Sequence, residues 1–158
     1  MKRLTVAFCI LLCLLLLAAC GKDSESENAV QTTTPNASST EETNMKLFIG
    51  ETEVPVTWEQ NESVTALQEL AGGDGLTISM SMYGGFEQVG SIGQSLPRND
   101  KQTKTASGDV VLYSGNQIVI FYGSNSWAYT RLGHVDLSKS EMTELLSNGD
   151  VTIRVTEG

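Results

Sequence analysis

The chain has 158 residues, 10 basic against 19 acidic, and a formal net charge of −9. Setting aside an apolar N-terminus and a polar low-complexity stretch leaves residues 45–158, about 114 residues, the size of one domain. That excludes a multidomain enzyme, a doubly wound nucleotide-binding fold with a separate substrate domain and a TIM barrel; the acidic balance argues against nucleic acid and anionic lipid surfaces as partners.

Lys2-Arg3 form a short positive start, and the apolar run Leu4–Ala19 is too short for the roughly 20 residues that cross a bilayer as a helix. Residues 1–19 therefore read as a secretory signal. Leu17-Ala18-Ala19-Cys20-Gly21 resembles the bacterial lipoprotein signature, which implies diacylglyceryl transfer to the Cys20 sulfur and cleavage before Cys20. An ordinary cleavable signal with a chance cysteine is the alternative. The three cysteines are Cys9, Cys13 and Cys20, so the processed chain keeps one, with its sulfur alkylated. That leaves no disulfide, no thiol nucleophile and no cysteine metal site. Loss of Lys2 and Arg3 leaves 8 basic against 19 acidic residues, a net charge of −11. Two or more acyl chains, at about 0.8 kcal/mol per buried methylene, give a lasting membrane anchor. The expected place is the cell envelope, at the outer face of the cytoplasmic membrane or in the periplasm.

Residues 20–44 carry the lipidated cysteine and then a Ser/Thr/Asn/Glu-rich stretch whose only sizeable aliphatic residue is Val30. Such a composition cannot bury enough apolar surface to offset the entropy of ordering. It is expected to be a flexible tether with a reach of roughly 25–30 Å.

The folded domain is expected over residues 45–158. Met45–Ile49 and Glu53–Trp58 read as strands around the turn Gly50-Glu51-Thr52, with Pro55 demoting the second to an edge or bulged strand. Ser63 is placed to cap a helix carrying Val64, Leu67, Leu70 and Ala71 on one face, stopped by Gly72-Gly73. Leu76–Met82 alternates cleanly with period two. Tyr83 to Lys104 is weakly patterned, with short strand material around Phe86–Val89 and a long loop through Ser95–Asn99. Val110–Tyr113 and Gln117–Tyr122 flank Ser114-Gly115-Asn116, a hairpin cue. Ile118 to Tyr122 is apolar on both faces, which predicts a central strand covered on each side. Trp127–Val135 reads as a strand. Ser138 to Glu141 is a capping box opening a helix with Met142, Leu145 and Leu146, and Val151–Thr156 is a last strand.

The predicted fold class is mainly β: a closed antiparallel barrel of about eight strands capped by two short helices, with an open sandwich as the alternative. The segments Ser95–Asp100, Gly108–Tyr113, Gly115–Tyr122 and Ser126–Gly133 resemble the bacterial cyclophilin-like domain family, a likeness spanning Met45 to Gly158. That resemblance implies an eight-stranded barrel with two helices. The enzymatic cyclophilins are prolyl isomerases, which lower a barrier of about 18–20 kcal/mol with an arginine beside a pocket of Phe, Gln, Trp and His. Their active strand carries Phe, Gln and then Gly-Gly-Asp. Here Phe86-Glu87-Gln88-Val89-Gly90 has no Gly-Gly-Asp after it, and Gly72-Gly73-Asp74 follows a helix instead.

No nucleophile elbow, P-loop or dinucleotide fingerprint occurs, and no His/Asp cluster has metal-ligand spacing, so neither cofactor nor metal is implied. His134 is the only histidine. The candidate ligand-binding residues are Arg98, Tyr122, Ser124, Asn125, Trp127, Tyr129 and Arg131. In an extended strand Trp127, Tyr129 and Arg131 share a face, and aromatics beside a guanidinium suit a peptide or flat small molecule. Alternatively, Trp127 and Tyr129 plug the barrel end, Arg131 pairs with a carboxylate such as Asp136, and Arg98 is a solvated loop residue. The expected function is a lipid-tethered, non-enzymatic binding module for a peptide or small ligand, with no catalytic residue assigned. An extracytoplasmic prolyl isomerase using Arg98 or Arg131, and a purely structural envelope protein, are the alternatives.

Overall fold

One proline and three glycine-bearing turns set the path of the chain in the computed structural model, which describes residues 43–158. Strands β1 (Met45–Ile49) and β2 (Thr52–Val54) turn through Gly50, whose φ of 58° lies in the left-handed region that glycine enters without steric cost. Pro55 has no N–H to donate, so it separates β2 from β3 (Val56–Trp58). Helix α1 (Glu62–Ala71) follows, then β4 (Leu76–Tyr83) and β5 (Glu87–Ser91), joined by Gly84-Gly85 at φ 63° and 74°. A long loop leads to β6 (Lys101–Lys104) and β7 (Asp109–Tyr113). Ser114 and Gly115, at φ 53° and 82°, turn the chain into β8 (Gln117–Phe121). Then come β9 (Ser126–Val135), α2 (Lys139–Leu146) and β10 (Val151–Glu157).

The pairing order is β2-β1-β10-β4-β5-β8-β7-β9-β3, antiparallel throughout, with β6 attached to β9. The two ends of that order, β2 and β3, are consecutive in sequence across Pro55. The segment Thr52–Trp58 is thus one bent strand whose first half pairs with β1 and whose second half pairs with β9. It brings the barrel to near closure, with eight strands around it when the bent strand is counted once and β6 is set apart. The predicted architecture holds, and Pro55 acts as the predicted interruption.

The barrel interior is filled. Leu47, Ile78, Met80, Val110, Leu112, Ile118, Ile120, Leu132, Ile153 and Val155 pack there with Val64 and Leu67 of α1 and Met142 and Leu146 of α2. Space is so tight that a Cβ at Gly90 would lie 2.4 Å from Met80 Sδ and 2.6 Å from Ile78 Cγ2. Gln88 also points inward, and its buried Nε2 donates to Leu146 O and Gly149 O, both at 2.7 Å, docking the end of α2. Helix α1 sits toward the other end of the β7–β8 hairpin: Ser63 donates to Pro97 O at 2.7 Å, and Leu96 N donates to Gly115 O in the hairpin turn.

Three local expectations are corrected. Asn61, not Ser63, caps α1, because its Oδ1 accepts from Val64 N at 3.0 Å while Ser63 is buried against the Pro97 loop. Strand β6, Lys-Gln-Thr-Lys, lies in a stretch read as weakly patterned; it buries no side chain, so it carries no alternation to detect. Arg131 pairs with Asp109 rather than Asp136, whose carboxylate instead accepts from Thr57 Oγ1 at 2.7 Å.

Candidate functional site

Strand β8 is apolar on both faces because the sheet buries both. Ile118 and Ile120 point into the barrel, whereas Val119 and Phe121 join Val111 and Tyr129 in a second cluster on its outer face, with Phe86, Val89 and Tyr113 packed against it. Its aromatic rings interlock: Phe86 stacks parallel to Phe121 at 6.5 Å, and Tyr129 meets Phe121 at 5.8 Å and Tyr113 at 6.0 Å, both edge-on. Such pairs hold ring orientation beyond what area burial alone provides.

A fork in the sheet makes this outer cluster accessible. Strand β9 pairs with β7 from His134 to Thr130, across a bulge at Val110/Val111, and its first half then pairs with β6 instead. The parting of β7 and β9 leaves a pocket of about 400 Å³ lined by Tyr83, Glu87, Val89, Tyr113, Gln117, Val119, Asn125, Trp127 and Tyr129. Two of its walls are exposed aromatics, Trp127 at 56% and Tyr83 at 67% of full exposure. Large apolar rings held in solvent beside a concave apolar floor are the usual mark of a binding surface.

At the floor lies Glu87, only 5% exposed, directly opposite Phe121 across the β5–β8 ladder. Its Oε2 is buried without a hydrogen-bond partner. Burial pushes its pKa up from 4.5 to about 7, because the charged form has lost water and gained nothing in return. Burial, and then the Glu87 charge, raise the Tyr122 and Tyr129 hydroxyls above their ordinary value. The rim is held in place: Asn125 N donates to the buried Thr105 Oγ1 at 2.8 Å, Thr105 N donates back to Asn125 O at 2.8 Å, and Asn125 Nδ2 donates to Tyr129 Oη at 3.2 Å.

A second pocket, about 550 Å³, lies on the other side of Tyr129 and is polar. It is lined by residues including Asn61, Arg98, Lys101, Thr130 and Arg131. Arg98 reaches Asp100 at 3.4 Å, and Asp100 in turn accepts from Thr130 Oγ1 at 2.7 Å. Arg131 Nη2 donates to Asp109 Oδ2 at 2.7 Å; buried Asp109 also accepts from Ala106 N at 2.8 Å and lies 2.9 Å from His134 Nδ1.

The candidates read from the sequence thus fall in four places. Asn125, Trp127 and Tyr129 line the aromatic pocket; Arg98, Arg131 and again Tyr129 line the polar one. Tyr122 is buried in the barrel interior, its hydroxyl unpartnered, and Ser124 is exposed on the connecting loop. Trp127, Tyr129 and Arg131 do alternate along one face, but the sheet fork and Asp109 turn them toward different neighbours. Glu87, Tyr83, Tyr113 and Val119 are pocket residues that sequence reasoning did not single out. The available signal was the parity of Glu87 with Val89 on β5, opposite an apolar strand. Cys20, the signal and the tether up to residue 42 lie outside the described residues; Asn44, at the end of the expected tether, is already tied to the domain, its carbonyl accepting from Gly158 N at 2.8 Å. Among the described residues no helix is long and apolar enough to cross a membrane, and no three His, Cys, Asp or Glu side chains gather to hold a metal ion.

A sequence model described as the Cyclophilin-like family matches residues 47–156. The search of curated proteins found no match. Among solved structures, McbB in complex with tryptophan is similar in fold, with a TM-score of 0.54 at 12% identity. The similarity covers 72% of this chain and 44% of that one, so this chain spans less than half of McbB.

Proposed function

From the premise that this chain belongs to the Cyclophilin-like family, we propose that it is a lipid-tethered extracytoplasmic binding module whose barrel takes a small aromatic or flat ligand, free or as a peptide side chain. The observation that carries this reading is the fork pocket, where exposed Trp127 and Tyr83 stand over an aromatic floor that holds a buried, unpartnered carboxyl. An aromatic floor shields the ligand from water, and the orphaned carboxyl and the fixed Asn125 supply the few polar contacts that orient it. The tryptophan in the McbB structure is a flat aromatic molecule of the class proposed here.

The isomerase alternative finds less support in the arginines. Arg98 and Arg131 carry carboxylate partners beside the polar pocket, and Arg154 lies over the Phe48 ring at 4.2 Å. No arginine lines the aromatic pocket. A protease-coupled proline-peptide assay is expected to return the uncatalysed rate even at high protein concentration; an accelerated rate would install the alternative.

Amide-shift mapping with a library of aromatic fragments and aromatic dipeptides tests the site. Saturable shifts are expected at Glu87, Val89, Val119 and Trp127, and Trp127→Ala should abolish them while leaving the fold intact. A library that moves none of these resonances refutes the assignment. For the tether, Cys20→Ser is expected to move the protein from washed membranes to the soluble fraction; retention in the membranes would refute it.

A further inference from the structure

The chemistry of the pocket narrows its ligand, and the narrowing rests on the reading of the fork pocket as the binding site. Glu87 is the one charged residue among those lining it. The titratable groups lining the pocket around it are tyrosines, Tyr83 on β4, Tyr113 on β7 and Tyr129 on β9, while the hydroxyl of Tyr122, on the barrel side of the sheet, also feels the Glu87 charge. None supplies a positive charge. Each arginine of the described residues is engaged elsewhere, with Asp100, Asp109 or the Phe48 ring. A buried carboxylate without a counter-charge is costly, and an incoming cation is the partner that removes the cost. The walls agree: the faces of Trp and Tyr rings carry negative potential and attract ammonium groups, most strongly where water is displaced.

We infer that the fork pocket selects organic cations, an ammonium group on an aromatic or alkyl body, with Glu87 as the counter-charge at its base and Trp127, Tyr83 and Tyr129 as the surrounding rings. The carboxyl must be ionised to play that part. Below neutral pH it holds a proton, and a cation can bind only as that proton leaves; the proton passes to solvent, and no covalent bond is made. Affinity for a cation therefore rises with pH through the Glu87 titration near 7. Between pH 5.5 and pH 8 the ionised fraction grows about 30-fold, and apparent affinity scales with the competent fraction.

The test is calorimetric titration of the full chain in lipid nanodiscs, with empty nanodiscs as the blank, using phenethylamine and phenethyl alcohol. The two probes share size and ring and differ by an ammonium against a hydroxyl; the ammonium stays charged across this pH range. Phenethylamine is expected to bind at least 10-fold more tightly than the alcohol at pH 8, to lose about 30-fold in affinity by pH 5.5, and to release about half a proton per molecule bound at pH 7. Glu87→Gln should level the two probes and remove the pH dependence while the alcohol binds as before. Equal, pH-independent binding of both probes, lost on Trp127→Ala, would overturn the cation preference and leave the pocket assignment standing. Failure of both probes to bind at any pH would overturn both.

Discussion

Replacing Glu87 by Gln should shift the protein's stability relative to wild type upward between pH 4 and pH 8. The native carboxyl titrates near 7, whereas in the unfolded chain it returns to 4.5. Between those values the native state holds a proton that the unfolded state has lost, so stability falls as pH rises. The sign is opposite to that of a salt-bridged carboxylate. Fully developed above pH 7, the penalty is about 3 kcal/mol; at pH 4, below both values, it is a few tenths, roughly 0.2 kcal/mol. Gln keeps the size of the side chain and removes the titration. Its own buried amide adds a cost, roughly 1–3 kcal/mol, that is the same at every pH. The readout is therefore the change in the difference between variant and wild type. Urea unfolding of both proteins at pH 4 and pH 8 should show the variant gaining about 3 kcal/mol relative to wild type between the two. A difference that does not move with pH would refute the placement of Glu87 as a buried, uncompensated acid.

Two further substitutions probe the scaffold that carries the pocket. Asp109→Ala deletes a 2%-exposed carboxylate that bonds Ala106 N, Arg131 and the His134 ring, and should destabilise by about 2–4 kcal/mol in chemical unfolding; a loss below about 0.5 kcal/mol would show that the cluster is not a structural tie. Gly90→Ala drives a methyl into Met80, Ile78 and Ser79 O inside the barrel and should cost about 1–3 kcal/mol by overpacking, with the outer-face resonances unmoved; a neutral result would contradict a filled interior.

Much of the fold was legible because its signals are local. Leu76–Tyr83 shows period two because one face meets the core and the other meets solvent. Strand β8 reads as covered on both faces, and the structure explains why: Ile118 and Ile120 serve the barrel while Val119 and Phe121 serve the outer cluster. The capping box of α2 was visible in Ser138 and Glu141, whose side chains exchange hydrogen bonds with each other's backbone and hold the Glu141 carboxyl below its usual pKa. Closure was less accessible, since only the pairing of Thr52–Val54 with β1 and of Val56–Trp58 with β9 reveals that one bent strand serves both edges.

The site was half legible. Trp127, Tyr129 and Asn125 announce themselves by residue type, and they do line the aromatic pocket. Glu87 does not, because a glutamate in a polar stretch reads as solvated until Phe121 and the β9 aromatics are known to cover it. Arg131 was linked to Trp127 by strand parity, but parity says nothing of the departure of β9 from β7. Nor does it locate Asp109, buried 22 positions away in sequence, which turns the guanidinium aside.

The proposed function stands or falls with the fork pocket being the place where a ligand sits. A crystal structure of protein purified from its native source tests this directly. Density belonging to no protein atom is predicted between Trp127 and Tyr83, within hydrogen-bonding distance of Glu87. Such density beside Arg98 and Asn61, with only solvent over Glu87, would contradict it.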